Sequence, residues 1–571
     1  MEVEKLQTED KNSKKSPQSK KDDSDFITDI IGQFGPFHAV TFTIMGLSIV
    51  IHCWQMMANK FYTYQTDFWC ARPQAFQNHT QDQWRNLSAP KILDEYDRCA
   101  IFEMDYSYSN LVVRPGENTS LRHCNAWEYD TANFENTIIQ RWDMVCGSYN
   151  NFPRIVQIVF FFGNMCGVLL IGPFSDWYGR KTAYLTALTT WSAITIIGYF
   201  VNHPYLWIAT RFIAGACSLA YNTAVDVYRV EFTSGKWRSA AGHWFGELPW
   251  TLGHLTLGLL VYLIPNMSHL ELFIGLSALP FMPLWYFLPE SPRWLIAKGR
   301  KSEAIEVLKI ACKWNKKPLE KLEKMEKELD DDQEDTEEDH AVKGTFMDLM
   351  RYPAMRRNAL CMSFCWCAFA MGYFGLIYNT PPFEWNIYVV FVLPALPGIP
   401  FAIIQPYFEN KLGRKIYMTV PLLGAGIALL LTSILPSGVS VTVFAMIGTC
   451  LCGMAFGNGY TYTKELFPTS LRTTALGKLR INQKWVTKIM RSLFLALASA
   501  GARVGSLSSP LIAMLDVYSP VLPLIVYGII VLLAGIISLW LWPETKRRKL
   551  PETIEEAEKV AATRNPWVHW C

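Results

Sequence analysis

The sequence has few charged residues and lacks the short motifs that identify many enzymes. Only 18% of its 571 residues are Asp, Glu, Lys or Arg, and the formal net charge is +3. A chain this close to neutral offers no broad basic surface, so no nucleic-acid partner is predicted. It contains no H-E-x-x-H zinc motif, no Walker-type phosphate loop and no Cys-x-x-Cys pair. No metal, no cofactor and no enzymatic activity are therefore predicted.

Long apolar runs are what the chain has in abundance. Hydrophobic residues make up 50% of it, and about 20 apolar residues in a helix cross about 30 Å of hydrocarbon. Twelve runs of that kind predict an all-α protein with twelve transmembrane helices in a lipid bilayer. These predicted spans one to twelve lie near 37–57, 153–173, 182–201, 204–226, 239–263, 269–287, 358–378, 386–409, 416–435, 440–462, 492–515 and 519–541.

The basic residues give the orientation of the spans. Lys and Arg concentrate in alternate loops, and the positive-inside rule places those loops and both termini in the cytoplasm. Residues 1–36 are polar, so they are predicted to be a disordered cytoplasmic tail without a signal peptide. Residues 288–357 are predicted to be a cytoplasmic linker, in which a solvated helix precedes an acidic disordered run. Residues 543–571 are predicted to be the cytoplasmic C-terminal tail.

The long loop 58–152 after span one is predicted to be extracellular. It contains four cysteines and three Asn-x-Ser/Thr sequons, which favour an oxidising, glycosylating compartment. Four cysteines allow three pairings, and the sequence does not choose among them. The loop is therefore predicted to be a disulfide-stapled, glycosylated domain. Its cysteines are Cys70, Cys99, Cys124 and Cys146, and its sequons begin at Asn78, Asn86 and Asn118.

The membrane region repeats itself at one constant offset. The Gly-Arg-Lys loop after span two recurs after span eight, and an acid and a base that follow span four recur after span ten. The matched pairs are Gly179 and Gly413, Arg180 and Arg414, Lys181 and Lys415, Glu231 and Glu465, and Arg238 and Arg472. Several markers at one offset indicate two six-helix halves related by duplication, which is typical of parallel-repeat transporters.

Additional residues in the second half break this register between Arg472 and Pro543. The segment 477–496 contains five Lys and Arg residues where the chain would enter the membrane. Because such charges are costly within the bilayer, this segment is predicted to be a basic interfacial helix on the cytoplasmic surface. A splicing or gene-model irregularity is the alternative explanation.

Five motifs, together with the long loop after span one, resemble one known family. The motifs are GPFSDWYGRK, RFIAG, PESPRWL, ELFPTSLR and PET. Over 30–548 the chain is similar to the organic cation, anion and zwitterion transporters of the major facilitator superfamily. The resemblance implies a plasma-membrane secondary transporter that moves a small organic ion by alternating access between its two halves.

The charged cytoplasmic loops are predicted to be the gate that holds one conformation closed. Ion pairs can form among the acids and bases, and the glycines allow close backbone approach. The alternative is that the bases only set the orientation of the spans. Asn410 occupies the position of Asp176 in the second half, so that gate is predicted to be weaker. The gate set is Gly172, Asp176, Gly179, Arg180, Lys181, Glu231, Arg238, Gly413, Arg414, Lys415, Glu465 and Arg472.

Ionisable residues within spans indicate where the substrate binds. Glu247 and Arg503 fall near mid-depth, one in each half, although an ion pair between them is an alternative. Four aromatic residues of span seven could hold an organic body, although helix aromatics often serve packing. These residues are Trp366, Tyr373, Phe374 and Tyr378. The resemblance assigns Arg211 a structural role.

The resemblance also bears on the charge of the substrate. Anion and carnitine-like members carry Arg on span eleven, as in ARVGS at 502–506, and cation members carry an acid at the position of Gly398. We therefore predict carboxylate-bearing anions or zwitterions as substrates. An organic cation transporter, a sugar porter and a non-transporting receptor or scaffold are the alternatives. Span one lacks an acid, which favours uniport or exchange, and an ion that is co-transported or exchanged stays open.

Overall fold

The computed structural model describes residues 26–92, 95–104, 106, 120–323, 326, 353–379, 386–435, 438–466 and 500–542. Within these ranges, nine helices are long and apolar enough to cross a membrane. They correspond to all the predicted spans except four, five and eleven. Span four is helical but carries several charges, span five is divided by a π turn, and span eleven is described only in part.

The six spans of the first half begin close to the predicted positions. Proline occupies the first turn of spans one, two and four, where its missing N–H leaves no hydrogen bond unmade. Span six is interrupted twice. The bounds are Pro36–Tyr62 for span one, Phe152–Tyr178, Arg180–Phe200 and Pro204–Phe232 for spans two to four, Gly235–Gly242, His243–Glu247 and Leu248–Leu263 for span five, and Met267–Leu276, Leu279–Phe281 and Leu284–Phe287 for span six.

The second half contains the equivalent spans. Span eight is broken around Pro397, because proline lacks the N–H that a continuous helix would need there. The bounds are Pro353–Asn379 for span seven, Ile387–Val392, Leu393–Ala395 and Gly398–Leu412 for span eight, Arg414–Ile434 and Val439–Leu466 for spans nine and ten, 500–513 followed by Met514–Val517 for span eleven, and Leu522–Leu541 for span twelve.

Glycine contacts show that the two halves are built alike. In the first half, a Cβ atom on Gly253 of span five would lie 2.8 Å from the carbonyl oxygen of Val50 in span one. In the second half, a Cβ atom on Gly505 of span eleven would lie 2.1 Å from the carbonyl oxygen of Cys367 in span seven. Both positions require glycine because the helices approach at backbone distance. The equivalent span pairs one and five, and seven and eleven, thus pack in the same manner.

The long loop after span one, which is predicted to be extracellular, folds into a small domain of three antiparallel strand pairs. Strand β1 (Phe68–Cys70) pairs with β6 (Trp127–Tyr129), β2 (Lys91–Ile92) with β3 (Glu95–Tyr96), and β4 (Ala100–Phe102) with β5 (Leu121–His123). A helix covers Gln81–Ser88. The two disulfides are Cys70 to Cys124 and Cys99 to Cys146. The structure thus selects one of the three pairings that the sequence leaves open.

A few aromatic side chains form the core of this domain. Trp84 and Phe76 are buried, their rings lie 5.3 Å apart, and the Trp84 Nε1–H donates to the carbonyl oxygen of Cys70 at 2.9 Å. So small a core gains stability from covalent cross-links. Asn78 and Asn86 are exposed on its surface, whereas Asn118 lies outside the described residues.

We expect the Cys70→Ser variant to lose the Cys70 to Cys124 bridge and to leave Cys124 as a free thiol. The loss of a native disulfide costs about 2–5 kcal/mol in small secreted domains, so delivery to the cell surface should fall. Mass spectrometry of non-reduced peptides and thiol labelling would check the pairing. Cys53→Ser, which changes a buried free cysteine of span one, is the control. Recovery of a peptide linking Cys70 to Cys99 or Cys146 would contradict the pairing.

We expect glycosidase treatment of the expressed protein to shift its mobility on a gel, because the Asn78 and Asn86 side chains are exposed to solvent. Replacing Asn78, Asn86 and Asn118 together by Gln should remove the shift. Asn266→Gln should leave the shift in place, because the Asn266 side chain already accepts hydrogen bonds from the backbone N–H groups of Ser268 and His269. An unshifted wild-type band would contradict glycosylation.

Two segments that are predicted to be cytoplasmic are more ordered than the sequence suggests. The prediction of a disordered tail over 1–36 is wrong for 26–36, because Phe26–Ile31 forms a helix whose Ile27 and Ile31 are fully buried. Asn315 holds this segment by donating to the carbonyl oxygen of Ile31 at 2.8 Å and accepting from the N–H of Phe37 at 2.9 Å.

The start of the predicted linker is also folded. It forms the helices Pro292–Ala297 and Lys301–Trp314, and the second of these packs against the N-terminal helix. Its buried Cys312 Sγ donates to the carbonyl oxygen of Ile30 in that contact. The acidic run of the linker, the basic segment 477–496 and the tail 543–571 lie outside the described residues.

Candidate transport site

The cytoplasmic loop between spans two and three turns at a glycine. Gly179 has φ of +102°, a conformation that residues with a Cβ atom rarely adopt. A Cβ atom there would also lie 2.2 Å from Oε2 of Glu290. The prediction of close approach therefore holds at Gly179. It does not hold at Gly172, where an added Cβ atom would meet no atom within 4 Å.

Arg180 is the centre of the predicted gate in the first half. Its guanidinium contacts Glu231 at 2.8 Å and Asp176 at 2.9 Å and donates to the carbonyl oxygen of Ser175 at 2.9 Å. The Glu231 side chain is 14% exposed and that of Asp176 is 70% exposed. Since water screens exposed ion pairs, Glu231 is the stronger partner of Arg180.

Glu290, from the PESPRWL motif, caps the N-terminus of span three. Its carboxylate accepts from the backbone N–H groups of Arg180 at 2.8 Å and Lys181 at 3.0 Å. A carboxylate at a helix N-terminus satisfies free N–H groups and interacts favourably with the helix dipole. Burial raises the pKa of Glu290, and these hydrogen bonds oppose that shift. The motif was recognised from the sequence, but the capping role of its acid was missed.

The remaining gate residues lie at other positions of these loops and helices. Arg238 donates to the carbonyl oxygen of Thr233 at 2.7 Å, a contact within its own loop. Gly413 repeats the conformation of Gly179 with φ of +100°, and Arg414 donates to the carbonyl oxygen of Glu409 at 3.0 Å. Lys415 is buried. The side chain of Glu465 and the whole of Arg472 lie outside the description, so their predicted gate roles stay predictions.

Arg503 is buried near mid-membrane. It is 8% exposed and lies ten residues, about 15 Å of helix, from the extracellular end of the helical segment 500–513. Leu507, one turn further along the same helix, packs against the hydrophobic core that the first half mostly forms, so Arg503 lies close to that half. The central depth predicted from the sequence agrees with this placement.

Three further side chains join the other central helices to one another. The His52 ring lies 5.6 Å from the ring of Trp250 in span five, and Trp250 Nε1–H donates to the Tyr373 hydroxyl oxygen at 3.1 Å. His52, Trp250, Tyr373 and Arg503, which we call the central cluster, thus come from spans one, five, seven and eleven. His52 and Trp250 were missed because neither stands out in an apolar run that is rich in aromatic residues.

The other predicted pocket aromatics have different surroundings. Trp366 is buried in the core of the second half, where its Nε1–H donates to Thr463 Oγ1 at 3.1 Å and its ring lies 5.4 Å from that of Phe456. Phe374 and Tyr378 pack instead against Phe161 of span two in the first half, at ring distances of 5.1 and 5.9 Å. Tyr373 is the one of the four predicted aromatics that lies in the central cluster.

Contacts join the two halves on the side of the long loop, which is predicted to be extracellular. Lys60 Nζ donates to the carbonyl oxygen of Ile377 at 2.6 Å, and the Tyr378 hydroxyl donates to the carbonyl oxygen of Met56. An ion pair also joins Arg154 of span two to Asp516 of span eleven. Sequence reasoning missed this set, although a lysine at the extracellular end of span one departs from the positive-inside rule and was a usable signal.

Glu247 contacts a histidine of its own span. Its Oε2 lies 2.9 Å from His243 Nδ1, and its carboxylate lies beside the Gln405 amide. The alternative of an ion pair with Arg503 is not observed among the described contacts. On its other side, His243 Nε2 lies 3.2 Å from Oε1 of Glu409 in span eight. His243 and Glu409 were both missed by sequence reasoning.

Arg211 forms a buried ion pair with Glu271 of span six. The two side chains are almost fully buried, and Trp207 Nε1–H donates to the same carboxylate at 3.0 Å. The Arg211 guanidinium also lies 4.9 Å from the Trp207 ring centroid. All these residues belong to the first half, which agrees with a structural role.

The arrangement of the spans is that of known secondary transporters. The structure matches the proton:xylose symporter XylE bound to 6-bromo-6-deoxy-D-glucose with a TM-score of 0.58 at 13% identity, covering 92% of this chain and 99% of that one. The fold is therefore the major facilitator fold, with its two six-helix halves.

Sequence comparison gives the family within that class. Residues 134–557 match the family described as sugar (and other) transporter. Organic anion transporter 3 of Oryctolagus cuniculus is 30% identical over 93% of both chains, and the organic cation transporter protein of Drosophila melanogaster is 29% identical over 94% of both. The chain belongs to the organic cation, anion and zwitterion transporter family of the major facilitator superfamily.

We expect Arg180→Ala to slow transport more than it lowers surface expression. The substitution leaves Glu231 buried without its cation, and an unpaired buried group costs about 1–3 kcal/mol, more when it is charged. Asp176→Asn should have a smaller effect because Asp176 is exposed. Uptake normalised to surface biotinylation would measure both. Arg300→Ala, which removes an exposed pair with Glu303, is the control. Wild-type turnover in Arg180→Ala would contradict the gate.

Proposed function

We propose that this organic-ion transporter carries carboxylate-bearing anions or zwitterions across the plasma membrane, with both of its termini in the cytoplasm. Its relatives include cation and anion transporters, so family membership alone does not choose the charge of the substrate. The buried position of Arg503 in the central cluster supports the choice of carboxylates.

A guanidinium at this depth favours an anionic ligand. Arginine stays charged and offers a planar fork of donors that matches a carboxylate. Glu247, which the sequence offered as an alternative partner of Arg503, contacts His243 and Gln405. A substrate carboxylate at Arg503 would lie at the interface of the two halves, where alternating access exposes it to each side in turn.

The rest of the central cluster fits an organic body. The Trp250 and Tyr373 side chains bridge spans five and seven at the same interface, and their rings offer apolar faces beside polar N–H and O–H groups. Aromatic faces also attract cations, so they could receive the ammonium group of a zwitterion. This combination supports zwitterions as well as simple anions.

An uptake screen in proteoliposomes that contain the full chain would test the proposal. We expect uptake of hippurate, an aromatic carboxylate, or carnitine, a quaternary-ammonium carboxylate, to exceed uptake of tetraethylammonium and glucose. Arg503→Lys should lower carboxylate uptake about tenfold or more, because it keeps the charge but loses the fork, and hydrogen bonds between charged groups contribute about 1.5–3 kcal/mol. Arg503→Asp should abolish it.

Arg300→Lys is the matched control, because Arg300 is exposed on the cytoplasmic side and pairs only locally with Glu303. It should transport like the wild type. Uptake of tetraethylammonium alone would favour the organic cation alternative, and uptake of glucose alone would favour a sugar porter. Carboxylate uptake by Arg503→Ala equal to that of the wild type would show that Arg503 does not select the substrate.

A further inference from the structure

A second ionisable group of residues lies between the halves, on the cytoplasmic side of the central cluster. His243 and Glu247 belong to span five, and Glu409 is three residues from the cytoplasmic end of span eight. The Nδ1 and Nε2 atoms of His243 lie 2.9 Å from Glu247 and 3.2 Å from Glu409. The side chains of His243 and Glu409 are 3% and 1% exposed, and that of Glu247 is 30% exposed. We call these three residues the histidine bridge.

The arrangement needs an added proton to balance its charge. Both ring nitrogens of His243 lie within ion-pair distance of a carboxylate oxygen, and neither contact has the alignment of a hydrogen bond. With both acids ionised and the ring neutral, two negative charges would lie together against a buried ring. A proton on the ring places a positive charge between the acids and lowers the net charge from −2 to −1.

Neighbouring side chains do not remove this requirement. Gln405 of span eight lies between the two carboxylates, reaching Glu409 at 3.4 Å in one amide orientation and Glu247 at 3.1 Å in the other. It is neutral and does not supply a charge. Tyr417 of span nine also lies near both acids, and Ser239 of span five donates to Glu409 at 3.3 Å.

Basic residues of the neighbouring spans have contacts of their own. Arg229 of span four donates to the carbonyl oxygen of Phe245 and pairs with Asp226. Arg414 of span nine donates to the carbonyl oxygen of Glu409 at 3.0 Å. From span one, His38 contacts the carbonyl oxygen of Phe232. Span ten contributes the neutral Gly457, packed against the Glu247 carboxylate.

The histidine bridge also joins the two halves. Glu409 lies in the second half, and its partners His243 and Ser239 lie in the first. Opening of the cytoplasmic side separates the halves at this level, and Glu409 then leaves His243. The separated groups hold the proton less tightly, because each acid and the ring gain access to water. Binding of the proton and closure on the cytoplasmic side therefore favour each other.

We propose that His243, Glu247 and Glu409 bind one proton in the cytoplasm-closed conformation and release it into the cytoplasm when that side opens, which couples organic-ion uptake to an inward proton gradient. The partly exposed Glu247 is the entry point, where water delivers the proton. The coupling rests on the proposed transport function. It replaces the expectation of uniport or exchange that the absence of an acid in span one suggests.

Uptake against pH would test the coupling in proteoliposomes that contain the full chain. With about pH 6 outside and about pH 7.5 inside, a range in which histidine titrates, initial uptake of hippurate or carnitine should rise severalfold over the rate without a gradient. A protonophore should remove the increase. His243→Gln and Glu409→Gln keep hydrogen-bonding groups but do not titrate, and both should lose the increase.

His254→Gln is the matched control. His254 is another buried histidine of span five, but its ring lies 4.4 Å from the Phe391 ring and contacts no carboxylate among the described residues. It should keep the increase. Wild-type uptake that does not respond to the gradient, or an equal response in His243→Gln, would overturn the coupling and leave the proposed transport function intact.

Thermal unfolding of the purified full chain tests the proton site without a substrate. An unfolded histidine is mostly neutral above about pH 6.5, so above that pH the folded wild type binds the additional proton and its stability falls as the pH rises. The melting temperature of the wild type should therefore fall more between about pH 6.5 and about pH 9 than that of His243→Gln. Parallel melting curves would overturn the proton site. If neither hippurate nor carnitine is taken up but the melting curves of the wild type and His243→Gln differ as expected, the result would count against the proposed transport function and not against the proton site.

Discussion

Charged groups in the membrane region must find their partners inside the protein, because hydrocarbon offers them none. The protein meets this constraint in two ways. Arg211 and Glu271 pair within the first half, where they remain together whichever side is open. His243 and Glu409 lie across the halves, with Nε2 and Oε1 3.2 Å apart. The Arg211 pair stabilises the fold of its own half, whereas a contact between the halves can also affect the energies of the conformations.

The contacts at the two ends of the membrane region differ. On the extracellular side, Lys60 and Tyr378 donate to backbone carbonyl oxygens of the opposite half. Such contacts are local and are easily replaced by water. On the cytoplasmic side, Arg180, Glu231 and Glu290 form a network within the first half that fixes the loop at Gly179. The histidine bridge then connects this half to the second.

Much of the architecture follows from the sequence, because it rests on local patterns. Apolar runs of membrane length and alternating basic loops locate the spans, and repeated motifs identify the halves. The pairing of Cys70 with Cys124 does not follow, because three pairings share one sequence. Nor does the burial of Ile27 and Ile31, since a short apolar stretch in a polar tail shows no partner until the linker helix is placed.

The candidate site was harder to predict because its residues come together only in the folded structure. Arg503 stands out because a charge in an apolar run is conspicuous. His52 and His243 are inconspicuous, and their importance depends on neighbours from other spans. Trp366 shows the opposite error, since an aromatic at a promising position packs within its own half. Residue type indicates candidates, and only tertiary neighbours separate binding from packing.

The π turn at His243–Glu247 divides span five into two parts that contact different spans of the second half. A π turn holds one more residue than an α-helical turn, and one residue corresponds to about 100° of rotation around the axis. The part of the span before the turn directs Ser239 to span eight, and the part after it directs Trp250 to span seven. Deleting a single residue within the turn would restore a regular helix and turn these two parts out of register. The number of residues in this one turn, as much as their chemistry, therefore keeps both contacts of span five directed at the second half.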